Sequence, residues 1–328
     1  MTVRADLEAL CAQPIADLGA GRTAERWLTM FDWALGGSVS VARLAEAHAD
    51  AVAILREGGR DPVKGAIYGV WASVDPRYEL RLDGSGTLSG TKSLCSGLGI
   101  VDRALVAVVG ERGEQLLVDV EASGPTVISD VTGWATPAMF DTATGTVGYT
   151  QHPVEIVVGD DAWYLERPGF WNGAIGPAAC WAGAAAGLGA YADAKAVTDQ
   201  HQLVARGVLR AEAALCQTLL RDAGRDIDDH PTDQVAARRR AYVVRHLVER
   251  SATRSVDAFS RAFGPRPFVS DGHLAQRGSD LMLYVRQQHG DRELAELGRL
   301  CSGDPPRAPT RPPLFRLDVR GRRRPVGL

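Results

Sequence analysis

Gly90-Thr-Lys-Ser-Leu-Cys-Ser-Gly-Leu-Gly-Ile-Val-Asp-Arg-Ala-Leu-Val-Ala-Val108 is the stretch on which the reading of this chain turns. Its start is rich in Gly, Ser and Thr, which suits a strand and turn better than a helix. Its end, Ala104 to Val108, is an apolar run of strand length. The segment before it imitates a phosphate loop, Gly84-Ser-Gly-Thr-Leu-Ser-Gly90-Thr-Lys92-Ser93. Thr91 separates Gly90 from Lys92, so the Gly-Lys-Ser/Thr spacing that cradles a phosphate is absent.

Working outward, the neighbouring segments also read as strands. Tyr78 to Leu82 alternates and turns at Asp83-Gly84; Gly110 to Gly113 turns the chain back into Gln115 to Val120. Val154 to Val158 is another apolar strand, closed by Gly159-Asp160. Short strands broken by Gly and Asp predict a small β-barrel or sandwich over residues 61–160. Residues 1–60 read as a short helical region. In it Val41, Leu44, Ala45, His48, Ala51, Val52 and Leu55 recur at helical steps, with Ser40 as the expected cap. Residues 161–303 hold four helical stretches, 173–199, 203–226, 232–263 and 272–300, which predict an antiparallel four-helix bundle. The tail 304–328 carries six prolines and seven arginines and reads as disordered. The fold class expected is therefore α+β, with helices, β-barrel domain and bundle in that order.

Bulk properties exclude several classes. Apolar residues make up 45% and charged residues 23% of 328, and the net charge is −3, so nothing asks for nucleic acid or a membrane. The Ala174–Ala190 run is built of Ala and Gly and contains Pro177, which argues against a membrane span. Met1 to Ala12 lacks a secretory signal's basic start and apolar centre. Five scattered cysteines suit reduced thiols and a cytoplasmic protein. No Cys or His spacing makes a metal site: His246 with Glu249, and His289 with Glu293, each supply only two ligands. No Gly-x-Ser-x-Gly elbow marks a hydrolase.

Gly90, Lys92, Ser96, Gly97 and Asp102 fall at or near the places of a motif carried by acyl-CoA dehydrogenases. Glu166-Arg-Pro-Gly-Phe170-Trp171 resembles that family's entry into its C-terminal bundle, and Phe263-Gly264-Pro265 with Arg277 to Asp280 resembles its late Gly-rich turn and Arg/Asp helix. The chain thus resembles a divergent, N-terminally shortened member of the acyl-CoA dehydrogenase family. The resemblance implies an FAD-dependent oxidoreductase acting on an acyl thioester or similar small substrate. It also implies assembly as a homo-oligomer, or as a heteromer with a related subunit.

The resemblance further implies a set of site residues. Ser96 takes the place of the hydroxyl beside the flavin N5, and Leu94 the place of an aromatic on the flavin face. Val70 and Trp71 lie in the stretch matching a loop along the pyrimidine edge; Trp71 either stacks on the ring or fills the core. Leu203 stands where the family has an Arg for the pyrophosphate, with Arg206 one turn away as its substitute. The catalytic Glu is missing: the expected places fall at Gln288 and at Pro177-Ala178. His289 is the leading candidate to move the proton, because imidazole titrates near neutrality; Asp291 is the second. Two alternatives stay open: a flavin-dependent monooxygenase of the same fold, and a cofactor-free, non-catalytic subunit.

Overall fold

The structure, a computed structural model, describes residues 2–302. The expectation for 304–328 lies outside them. Three helices open the chain: α1 (Val3–Cys11), α2 (Thr23–Gly36) and α3 (Val39–Glu57). The start of α2 is tied to a distant helix end. Asp228 accepts from the backbone N–H groups of Gly21 at 3.0 Å and Thr23 at 2.9 Å, satisfying donors a helix start leaves over. The cap of α3 is Ser38, whose hydroxyl accepts from the Val41 N–H. Ser40, expected as the cap, lies two residues beyond it within the first turn and donates instead to Asp280 at 3.0 Å.

Eight strands follow: β1 (Tyr68–Trp71), β2 (Leu80–Leu82), β3 (Thr87–Cys95), β4 (Arg103–Val109), β5 (Gln115–Glu121), β6 (Val127–Asp130), β7 (Gly145–Pro153) and β8 (Ile156–Val158). They form one sheet in the order β6-β7-β3-β2-β4-β5-β8, with β1 parallel on β4. The expected barrel does not close. β6 and β8 are the two ends of the sheet order and do not pair, and helices rather than further strands cover the apolar faces.

The C-terminal part begins with α4 (Trp163–Glu166) and α5 (Pro168–Gly173). The long helices α6 (Gly176–Asp193), α7 (Gln200–Asp229) and α8 (Gln234–Phe263) follow, then α9 (Arg266–Ser270) and α10 (Gly272–Tyr284). The fourth long helix expected over 272–300 is broken. After α10 comes a single tight turn, Val285–Gln287, and α11 (Asp291–Ser302) starts only after Gly290 at φ 61. α2 also packs into this helical layer, so closely that a Cβ on Gly183 of α6 would collide with the Phe31 carbonyl. One apolar core runs from α2, α3 and α6 across to the sheet, through Trp27, Phe31, Trp181, Trp71, Val106 and Val118.

Candidate functional site at the β3–β7 seam

β3 does not run straight. Its pairing with β7 slips between Lys92 and Cys95, and Leu94 there adopts φ 57, a left-handed backbone that costs a side-chain residue energy. The bulge turns Leu94 outward, where it is 41% exposed although apolar. Trp71 goes the other way. It is buried and its indole N–H donates to the Ser96 carbonyl at 2.9 Å, so it is a core aromatic that holds the strand carrying Ser96. Val70 beside it is partly buried against the α3 side of the sheet.

Ser96 ends a chain of hydroxyls that the sequence did not reveal. Its Oγ lies 2.8 Å from Thr144 Oγ1, which lies 2.7 Å from Thr142 Oγ1, which donates to the Met139 carbonyl at 2.6 Å. Each hydroxyl owns one proton. Thr142 gives its proton to the carbonyl, so Thr144 must donate to Thr142, and Ser96 must donate to Thr144. The direction of the whole chain is therefore fixed. The half-buried Ser96 Oγ has only lone pairs left to offer a neighbour.

The loop that supplies Thr142 is held in place by Asp280 of α10. That carboxylate accepts from the Met139 N–H at 2.5 Å, from Ser40 at 3.0 Å and from Gln276 at 2.6 Å. Burial raises its pKa against the pull of those donors. Met139 and Ala143 both sit at positive φ, conformations the loop keeps because Asp280 and the Gly97 N–H, which donates to Thr142 O at 2.7 Å, pin it at both ends. The same loop, with Gln276, lines an open cavity of about 380 Å³ between Trp134, Pro137, Phe140 and Asp141.

The remaining sequence-derived candidates lie on other elements. His289 sits in the break after α10, its Nδ1 2.8 Å from Glu293. Burial works to raise the Glu293 carboxyl, but the His289 hydrogen bond and Arg245 outweigh it and hold the pKa below its ordinary value. Asp291 is exposed in the first turn of α11. Arg206 donates to the Ala192 and Lys195 carbonyls, both at 2.8 Å, and so closes the C-terminal end of α6.

One carboxylate was missed altogether. Glu46 of α3 is 4% exposed, and a Cβ on Gly176 would come within 2.7 Å of its Oε1. It therefore stands against the start of α6, beside the Pro177-Ala178 pair where the sequence offered no base. Burial pushes its pKa up to about 7 although Arg43 lies 2.8 Å away. Its helical face is marked only by Ala42 and Ala49, too weak an apolar signal to single it out. Nearby, Trp181 Nε1 and Gln288 Nε2 are buried without a hydrogen-bond partner among the described residues. No group of three or more side chains that could hold a metal ion occurs among those residues, and no helix there is long and apolar enough to cross a membrane.

No family model matches the sequence, and no curated protein matches it. Solved structures do. KijD3, in complex with FMN and a dTDP-linked amino-keto sugar, is 14% identical with a TM-score of 0.74 over 92% of this chain and 84% of that one. FMN-bound TdsC of Paenibacillus sp. A11-2, a dibenzothiophene monooxygenase, is 16% identical with a TM-score of 0.73 over 87% and 86%. The methanesulfinate monooxygenase MsuC of Pseudomonas fluorescens is 16% identical with a TM-score of 0.64 over 88% and 84%. At these identities the likeness establishes a fold, and it is the fold that this chain shares with those enzymes.

Proposed function

We propose that the chain is a flavin-dependent oxidoreductase that takes FMN in its reduced state and works as a monooxygenase. The observation that carries this reading is the fixed direction of the Thr142–Thr144–Ser96 chain. A reduced flavin bears a proton on N5 and donates there; an oxidised flavin offers a lone pair. Ser96, left with lone pairs only, complements the donor and opposes the acceptor. The match to FMN-bound folds supports the same reading, and FMN is favoured over FAD because Arg206 is committed to the end of α6.

The residues that would hold the flavin are Val70, Leu94 and Ser96, with Trp134 and Phe140 on the adjoining loop. They fit it: an apolar side chain turned outward by a bulge, a polarised hydroxyl next to it, and an open cavity on the same loop. When bound, the flavin supplies the electrons that activate dioxygen. Leu94 packs without stacking, Ser96 accepts a hydrogen bond, and Trp71 fixes the strand beneath. His289, oriented by Glu293, is the proposed proton-transfer group, with Asp291 second. Self-association is part of the proposal, supported by the uncharged stripe Val204, Ala211 and Leu215 on α7, where Val204 is 66% and Leu215 46% exposed.

Glu46 supports a second reading, dehydrogenation of an acyl thioester. A carboxyl tuned to about 7 suits a general base at neutral pH. The two readings separate in one experiment, anaerobic titration of the protein with oxidised and with dithionite-reduced FMN. The monooxygenase reading expects the reduced form to bind at least about tenfold tighter, roughly 1.4 kcal/mol, and expects Ser96→Ala to shrink that gap. Tighter binding of oxidised flavin, FAD included, supports the dehydrogenase. Binding of neither form overturns both.

A further inference from the structure

A second cavity, of about 230 Å³, lies between α1, the segment after it, α2 and α3, and shares no lining residue with the loop cavity. It is larger than the roughly 150 Å³ void that admits benzene. Its deep walls are the buried Arg26, Trp33 and Ala49; Gln13, Asp17 and Arg56 are exposed at its mouth.

Arg26 is the unusual group. Arg26, Arg167, Arg240 and Arg245 are the buried arginines of the described residues. The last three pair with Glu57, Asp226 and Glu293. Arg26 has no carboxylate partner: it donates to the Ala16 and Ala49 carbonyls at 2.9 and 2.7 Å, its guanidinium lies 5.8 Å from the centre of the Trp27 ring, and its Nε–H, closed off from solvent, has no hydrogen-bond partner. Burial works against its charge, while Asp50, Glu46 and Asp17 support it from beyond ion-pair range.

The other polar groups of the cavity are donors as well. Gln13 spends its carbonyl on the Trp33 indole N–H at 2.8 Å, which leaves its NH₂. His48 accepts the Tyr68 N–H on Nδ1 at 3.1 Å, so its own proton sits on Nε2; burial holds its pKa down at about 4, and the ring stays neutral. Asp17, the acidic group at the mouth, is taken by Arg56. Burial pushes the Cys11 thiol up to about 12, so it offers no anion. Ile15, Val52 and Ala53 complete apolar walls.

We propose that this cavity is a binding site for a small monocarboxylate with a compact apolar body, its carboxylate directed to Arg26, Gln13 and His48. Donors without acceptors select an anion. The apolar walls select a body that inorganic phosphate lacks, and Arg26, which has no carboxylate partner, supplies the charge that the ligand meets through the second hydrogens of its terminal nitrogens.

Benzoate is the probe, with benzyl alcohol as its uncharged counterpart, titrated calorimetrically into the full chain. The expected result is one benzoate per chain, at least about tenfold tighter than benzyl alcohol, and unchanged by saturating FMN. Ala53→Phe, which fills the cavity, should weaken benzoate by a similar factor. Gln13→Ala changes an exposed residue outside any helix, so it keeps the test decisive if the filled variant misfolds; it should cost about threefold. Absence of benzoate binding, equal binding of the alcohol, or wild-type binding by both variants overturns the proposal.

Discussion

The sheet and the helical layer bury polarity in opposite ways. At the β3–β7 seam the Ser96–Thr144–Thr142 groups are neutral hydroxyls strung in a line, with direction as their only information, while Lys92 and His152 are the ionisable groups buried on the same two strands. Among the helices they include many ionisable groups: Arg26, Glu46, Arg167, Glu212, Arg240, Arg245, Asp280 and Glu293 are each less than one-tenth exposed. Hydroxyls cost little to bury once bonded, whereas ions cost several kcal/mol unless paired. A line of hydroxyls is therefore suited to select a ligand's protonation state without destabilising the fold, while the helical charges show themselves first as stability and its pH dependence.

The largest effect should come from the helical side. Gly183→Ala places a methyl group against the Phe31 carbonyl, and backbone cannot step aside as a side chain would. We expect a loss of about 3 kcal/mol in urea unfolding. A loss below about 1 kcal/mol would mean that α2 and α6 part easily, and the contrast between a rigid helical layer and a delicate seam would fail. Next is Asp280→Ala, which links the two regions. It strands the Met139 N–H and the Ser40 hydroxyl in a buried place, at about 2–3 kcal/mol. It should also free the 139–143 loop, so flavin affinity falls with stability. Stability lost with flavin affinity intact would separate the loop from the site.

Glu46 and His48 give a subtler test, because they oppose each other. Glu46 titrates near 4.5 when unfolded and near 7 when folded, so the native state holds the extra proton and stability falls as pH rises between those values. His48 titrates near 6.5 unfolded and near 4 folded, so the unfolded chain holds the extra proton and stability rises over pH 4 to 6.5. The two slopes, each up to about 1.4 kcal/mol per pH unit, nearly cancel between pH 4.5 and 6.5. Glu46→Gln should uncover the rising slope. His48→Asn, which keeps an acceptor for the Tyr68 N–H, should uncover the falling one. Unfolding midpoints across that window decide it, and unchanged slopes in both variants would show that neither burial holds.

What the sequence disclosed follows the same division. β4 and β5 were legible because an apolar run, a Gly-bounded turn and a returning run lie next to one another. The long helices α6 to α8 were legible by periodicity and by their separating turns. Barrel closure was not, since it depends on whether β6 and β8 meet, and no local pattern records that. The break after Tyr284 escaped the periodicity because Gly290 is the single breaker in it, while the family resemblance implies a loop over 284–291. Ser96 was singled out, but its partners Thr142 and Thr144 lie more than forty residues away and meet it only through β3–β7 pairing. Arg26 was invisible for a related reason. A buried arginine is recognised by the partner it lacks, and only the fold shows that.

The smallest effect tests the β3–β7 seam most directly. Thr142→Val removes the hydroxyl that anchors the chain to the Met139 carbonyl and touches neither Ser96 nor its contact with Thr144. Stability should drop by about 1 kcal/mol, the worth of one buried hydrogen bond. The informative readout is the ratio of reduced to oxidised FMN affinity. With Thr142 gone, Thr144 loses its acceptor and can turn its proton toward Ser96, which then has a proton of its own to offer. The preference for reduced flavin should narrow several-fold, about as far as in Thr144→Val, where Ser96 is released outright. If Thr142→Val leaves the ratio unchanged while Ser96→Ala abolishes it, Ser96 acts alone and the direction of the chain is idle. If Thr142→Val and Thr144→Val move it together, the direction of a proton two residues removed sets the state of the ligand, which charged groups in the helical layer cannot do without altering the fold.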